Sequence, residues 1–186
     1  MAEDDPSPRR DGRTTDTRQR IEATALRLFA TRGFAATSLR NIADELGITK
    51  AALYYHFPAK KDLARSVFQP FIDDVDALLS RLDGRRSPRE ILSAYAEALV
   101  PHRATLTAML RDPAAAVDLD LAEVSARWLS RVGALLDDED DPSPERRVRT
   151  TVAFGGLTRA LMLPDAEEPA TREAAVAAAV AALDSR

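Results

Sequence analysis

Residues 39–57 read LRNIADELGITKAALYYHF, and this stretch restricts the possible folds more than any other part of the chain. Leu39, Ile42, Ala43 and Leu46 recur at helical spacing, Gly47 breaks the run, and Leu53 resumes it. With Ala43 taken as the fifth position of a helix-turn-helix, Ile42, Leu46, Ile48 and Leu53 fall at the fourth, eighth, tenth and fifteenth. Those are the positions two short helices bury when they cross steeply. Ala43 is small where the second helix approaches, and Gly47 supplies the left-handed turn residue. Thr37 or Ser38 caps the first helix. Thr49 caps the second, which runs through Tyr55 to Phe57 and Pro58.

Helices this short need a larger body to hold them. With 45% hydrophobic residues the chain can bury a core. No sustained period-2 alternation occurs, so the expected fold is all-α, with about nine helices. A helix starts near Asp16, with Gln19 completing a capping box, and ends at Gly33, with Phe34 packing back on its last turn. After the two short helices, a fourth runs from Lys60 to about Leu82 with Leu63, Val67, Phe71 and Val75 inward. Further helices are expected over about 88–99, 102–110, 114–136, 144–163 and 171–183, with the acidic run Asp137–Asp141 as a loop. The domain reading is a disordered tail over 1–15, a DNA-binding helix-turn-helix domain over 16–60 and a second helical domain over 61–186.

Net charge is −4 overall but unevenly spread. Residues 9–65 hold 12 Lys/Arg against 6 Asp/Glu, or +6, whereas residues 66–186 sum to −7. A basic module on an acidic remainder suits a protein that offers one end to phosphates. The helix after Gly47 exposes Thr49, Lys50, Ala51, Tyr54 and Tyr55, one of the two tyrosines being expected partly in the core. Lys50 can reach guanine O6/N7 or a phosphate, and Ala51 permits close approach to the groove wall. Thr49, Tyr54, His56 and the backbone N–H groups near Ser38 can donate to phosphate oxygens. His56 equally suits the last carbonyls of its helix. Lys60 and Lys61 open a helix where the dipole disfavours cations, which a nearby phosphate would explain.

The segments Thr17–Phe34, Thr37–Ala43 and Gly47–Leu63, with their Leu-Tyr-x-His-Phe and Lys-x-Asp-Leu elements, resemble the N-terminal domain of TetR/AcrR-type bacterial transcriptional regulators. The resemblance implies a homodimer, an operator-binding N-terminal domain and a C-terminal ligand-binding bundle. It places Lys50, Ala51 and Tyr55 toward bases, and Thr37, Thr49, Tyr54, His56 and Lys60 toward phosphates.

The remaining two-thirds carries no comparable signature. A pocket between its helices would be walled by Phe71, Tyr95, Leu99, Met109, Trp128 and Phe154, with His102 able to orient a polar group. Arg103, Thr105, Arg127 and Arg131 are further polar candidates, although arginines more often lie on a solvated face. The small residues of 146–163 and the Ala/Val-rich stretch 171–184 suggest a two-fold dimer surface, the latter through Val176, Val180 and Leu183.

The function expected is a ligand-responsive repressor that binds a palindromic or pseudo-palindromic operator as a homodimer, with an unidentified small-molecule effector. The alternative is a helix-turn-helix regulator without small-molecule control. No enzyme is expected, because HExxH, GxSxG and Gly-rich phosphate loops are absent from the sequence. Neither a cofactor nor a metal is expected, since the chain has no Cys and only two His, His56 and His102. The N-terminus lacks an apolar signal region and no span approaches membrane length, so a cytoplasmic protein is expected.

Overall fold

The computed structural model describes residues 9–82, 86–112, 120–136 and 143–184. These form α1 (Arg9–Arg32), α2 (Leu39–Leu46), α3 (Lys50–His56), α4 (Lys60–Arg81) and α5 (Pro88–Leu99). A 3₁₀ turn over Val100–His102 leads into α6 (Arg103–Arg111), followed by α7 (Leu121–Leu136), α8 (Pro144–Ala160) and α9 (Pro169–Asp184). No strand occurs among the described residues. The all-α expectation holds.

Local chemistry sets the boundaries. At Gly33, φ is +92°, and its N–H closes α1 on the Phe29 carbonyl at 3.0 Å. Phe34 then turns its ring edge-on to Phe29, 5.3 Å away. Ser38 and Asn41 form a reciprocal capping box on α2, Thr49 caps α3, and Ser87 with Glu90 caps α5 ahead of Pro88. The two hydrogen bonds from Ser87 hold the Glu90 carboxyl below its ordinary range. Pro101 sits in the 3₁₀ turn, where its missing N–H costs least.

Three boundaries differ from expectation. α1 opens at Arg9 rather than Asp16, so the helix reaches into the stretch expected as a tail. No proline follows Pro8 until Pro58, so nothing local stops the helix before Gly33. α8 ends at Ala160, and α9 begins at Pro169 rather than Thr171, using proline at its first position. The start near Ala114 and the acidic loop Asp137–Asp141 lie outside the described residues.

Buried side chains form two clusters. The first gathers Ile21, Leu28, Phe29 and Phe34 with Ile42, Leu53 and Phe57, and takes Leu63, Val67 and Phe68 from the front of α4. Phe71, Val75 and Leu79 of the same helix enter the second, with Tyr95, Leu99, Trp128, Phe154, Val176 and Leu183. The two clusters thus part inside α4, at the Pro70 step between Phe68 and Phe71. α6 bridges the two, with Leu106 in the second cluster and Ala108 in the first.

Candidate nucleic-acid interface

α3 has a single buried residue, Leu53, so most of its surface faces outward. Lys50 and Ala51 are exposed, with Tyr54 at 41% and Tyr55 at 80% exposure. The spacing pairs Lys50 with Tyr54 and Ala51 with Tyr55, one turn apart, and the Lys50 ammonium lies 5.4 Å from the Tyr54 ring centre. The expectation that one of the two tyrosines belongs partly to the core is corrected: neither ring is buried. A helix with one apolar anchor has no inward position left for either.

Thr49 is exposed, and its hydroxyl oxygen accepts the Ala52 N–H at 3.1 Å. Ser38 is likewise exposed; its Oγ accepts the Asn41 N–H and donates to Asn41 Oδ1 at 2.6 Å. His56 is half-buried, edge-on to Tyr55 at 5.4 Å. These side chains gather around α3 and the start of α2.

Two expected phosphate contacts are placed elsewhere. Thr37 is 1% exposed and its hydroxyl donates to the Gly33 carbonyl at 2.8 Å, so it braces the α1–α2 turn. Lys60 donates to the carbonyls of Phe34 at 2.9 Å and Thr37 at 3.0 Å, with its ammonium 4.2 Å from the Phe34 ring centre. A cation at the start of α4 is thereby compensated inside the chain, without a phosphate. Sequence reasoning missed this because the partners are backbone carbonyls. Lys60→Met is therefore expected to lower stability by about 1–2 kcal/mol through lost charge-assisted bonds. Its duplex affinity should keep the wild-type salt slope, which titrations from low to moderate salt would check.

Many of the surrounding cations are paired. Arg27 and Arg32 both reach Glu45, at 2.6 and 4.0 Å, and Arg40 meets Asp44 at 3.7 Å. Arg18 lies 4.3 Å over the Phe57 ring, contacts Glu22 at 3.1 Å and donates to Ser66 at 2.8 Å, tying α1 to the end of α3 and to α4. Lys50 has no acidic partner among the described residues. Its charge is available to a polyanion.

The structure brings the expected pocket residues together as contacts. Phe71, Tyr95, Leu99, Trp128 and Phe154 share the second core, and Met109 packs against it. Tyr95 and Phe154 stack with centres 4.4 Å apart, and Phe71 meets Trp128 edge-on at 5.4 Å. Burial pushes the Tyr95 phenol well above its ordinary range, against the lowering effect of its Thr158 hydrogen bond. His102 sits 5.3 Å from the Phe71 ring and 2.8 Å from Asp74, while the Trp128 indole N–H donates to Asp76 at 2.6 Å. Arg103 donates to the carbonyls of Leu161 and Leu163, Arg131 to those of Leu79 and Leu82, and Arg127 pairs with Asp76. Thr105 is buried. An open groove of about 490 Å³ lies between α5 and α9, beside Ser93, Ala96, Glu97, Arg172, Glu173 and Val176. It includes none of the expected pocket residues.

On the outer side of α8, Val148 and Val152 are 62% and 56% exposed, followed by exposed Gly155 and Gly156. A Cβ on either glycine would meet nothing within 4 Å. Val176 and Leu183, expected on the dimer face, are instead buried in the protomer's own core. The face of α9 left outward is that of Ala174, Ala177 and Ala178.

Comparison with known proteins follows this division. Residues 21–67 match the family described as bacterial regulatory proteins, tetR family. The HTH-type transcriptional repressor KstR2 of Mycolicibacterium smegmatis is 32% identical over 118 residues, covering 61% of this chain and 55% of that protein. An uncharacterised HTH-type transcriptional regulator of Bacillus subtilis, YerO, is 47% identical over 55 residues, 30% of this chain and 19% of that one. The chain thus spans from a fifth to just over half of these curated relatives. Over the whole fold, a TetR/AcrR-type regulator from Aquifex aeolicus superposes with a TM-score of 0.68 at 19% identity, covering 87% of this chain and 96% of that one. The ketosteroid transcriptional regulator KstR2 of Mycobacterium tuberculosis gives 0.64 at 16% identity, covering 90% and 93%.

Proposed function

Because its N-terminal domain is that of the TetR family of bacterial regulatory proteins, we propose that this protein is a ligand-responsive transcriptional repressor that binds a palindromic operator as a homodimer. The observation that carries the reading is α3. It is a capped helix held by Leu53 alone, with Lys50, Ala51, Tyr54 and Tyr55 turned outward on the basic third of the chain. A helix of 7 residues reads only a few base pairs, so two must act together on half-sites about 34–36 Å or a multiple apart. The outward stripe of α8 with the alanine face of α9 is the surface on which two protomers would join. In this reading Lys50, Ala51 and Tyr55 face bases, and Ser38, Thr49, Tyr54 and His56 face phosphates. The protein would work in the cytoplasm, beside the chromosome; no described helix is long and apolar enough to cross a membrane.

The effector would enter the second core among Phe71, Tyr95, Leu99, Met109, Trp128 and Phe154, with His102 at the edge. It would release DNA by favouring the conformation that does not fit the operator. A coupling of about 1–3 kcal/mol corresponds to 5–150-fold weaker binding. The alternative, a regulator without small-molecule control, is favoured by the direct stacking of Tyr95 on Phe154. Selection of bound duplexes from a random pool, followed by titration of candidate ligands into the selected complex, tests both. Ligand-driven release supports the first reading, and release by no ligand supports the second.

Lys50→Ala is expected to relax base preference at one position of the selected site, with about 1–3 kcal/mol less discrimination there. Repeating the selection with the variant checks this. An equal loss on selected and random duplexes would assign Lys50 to phosphate instead.

A further inference from the structure

The turn over residues 33–37 joins α1 to the cap of α2, and the start of α4 and the residue that follows α6 grip it with opposite charges. From α4, the Lys60 ammonium holds its Phe34 and Thr37 carbonyls. From the end of α6, Asp112 accepts the Ala35 N–H through Oδ2. The same oxygen lies 3.3 Å from where a Cβ on Gly33 would stand, a tight approach at a position whose left-handed φ already favours glycine. The preceding residue, Arg111, donates to the Ala30 carbonyl at 3.1 Å, so the last residue of α6 and the one after it hold α1 and the turn that follows.

The placement of Asp112 is unfavourable for α6 itself. A carboxylate at a helix C-terminus opposes the helix dipole. Asp112 also precedes Pro113 in the sequence and has extended backbone, φ −132° and ψ 106°. Proline at the next position favours that departure from the helix, and the departing residue serves the neighbouring turn rather than its own helix.

We propose that Asp112 is a positioning residue for DNA recognition. Through Ala35 it sets the angle at which the helix-turn-helix leaves the C-terminal body, and hence the separation of the two α3 helices in a dimer. The proposal rests on the operator-binding reading above. A positioning residue of this kind matters only when two recognition helices engage one duplex together; a lone α3 on a half-site does not depend on that angle. Loss of a DNA contact, or of the fold, would harm both duplexes alike.

The test compares the palindromic duplex selected by the wild-type protein with a duplex carrying one of its half-sites. Asp112→Leu is expected to bind the palindrome about tenfold or more weakly, with half-site affinity within about twofold of wild type and an unchanged salt slope. Asp112→Asn keeps an acceptor oxygen and is expected to restore most of the palindrome affinity. Wild-type palindrome binding by Asp112→Leu, or equal losses on both duplexes, would overturn the proposal. Amide hydrogen exchange at Ala35, read without DNA, should quicken in Asp112→Leu and much less in Asp112→Asn; unchanged exchange would overturn the tether itself. If the wild-type protein selects no duplex, operator binding fails and the positioning role fails with it, while exchange still reports whether Asp112 holds the turn.

Discussion

Leu53→Ala is expected to abolish duplex binding while leaving the C-terminal core intact. Leu53 is fully buried and is the single inward residue of α3. Truncating a buried leucine to alanine costs about 2–5 kcal/mol, the upper end where the site cannot collapse. Here it shares one buried core with Ile42, Phe57 and Leu63. A helix of 7 residues has no stability of its own, because nucleation costs more than so few hydrogen bonds return. Removing its anchor should therefore release α3 rather than repack it. Gel-shift affinity for the selected duplex should fall more than about 100-fold. Trp128, the only tryptophan, reports on the second core, and its emission should remain that of the wild type. Retained duplex binding would mean that the caps at Thr49 and Phe57 hold α3 without Leu53.

How far the sequence could be read depended on the range of the interactions. Gly33, Gly47, Ser38, Thr49 and Pro88 act on neighbours within four residues, and each stands where the spacing places it. The inward positions of α4 were legible for the same reason, since a helical period is local. Ile48 and Leu46 are only partly buried, because the first core is filled by Phe34, Phe57 and Phe68 arriving from elsewhere in the chain. Thr37, Lys60 and Asp112 were opaque: each engages a backbone carbonyl or N–H, and the backbone has no sequence signature. The α9 face was misassigned on similar grounds. Val176 and Leu183 are larger than their alanine neighbours and go inward against α5 and α8, leaving the smaller residues outside.

Val152→Glu is expected to separate the proposed dimer and, with it, to lose operator binding. Val148 and Val152 lie one turn apart, more than half exposed, ahead of two exposed glycines with open space above them. Valine exposed in this way gains by burial at about 25 cal/mol per Å², and glycine lets a second helix backbone approach closely. A two-fold axis brings the same patch from each protomer together, so one substitution introduces two carboxylates into a single contact. Each would be desolvated, and near the axis they would repel. Sedimentation at micromolar concentration should show monomers with wild-type helix content. The cost to DNA binding follows from linkage of the two sites: joining them adds about 10²–10⁴ in avidity, and separation returns each α3 to its own weak half-site affinity. Palindrome affinity should drop by at least about 100-fold while half-site affinity stays within about twofold. A Val152→Glu protein that remains dimeric would place the two-fold contact elsewhere, whereas a monomer that keeps full palindrome affinity would remove the need for a dimer in recognition.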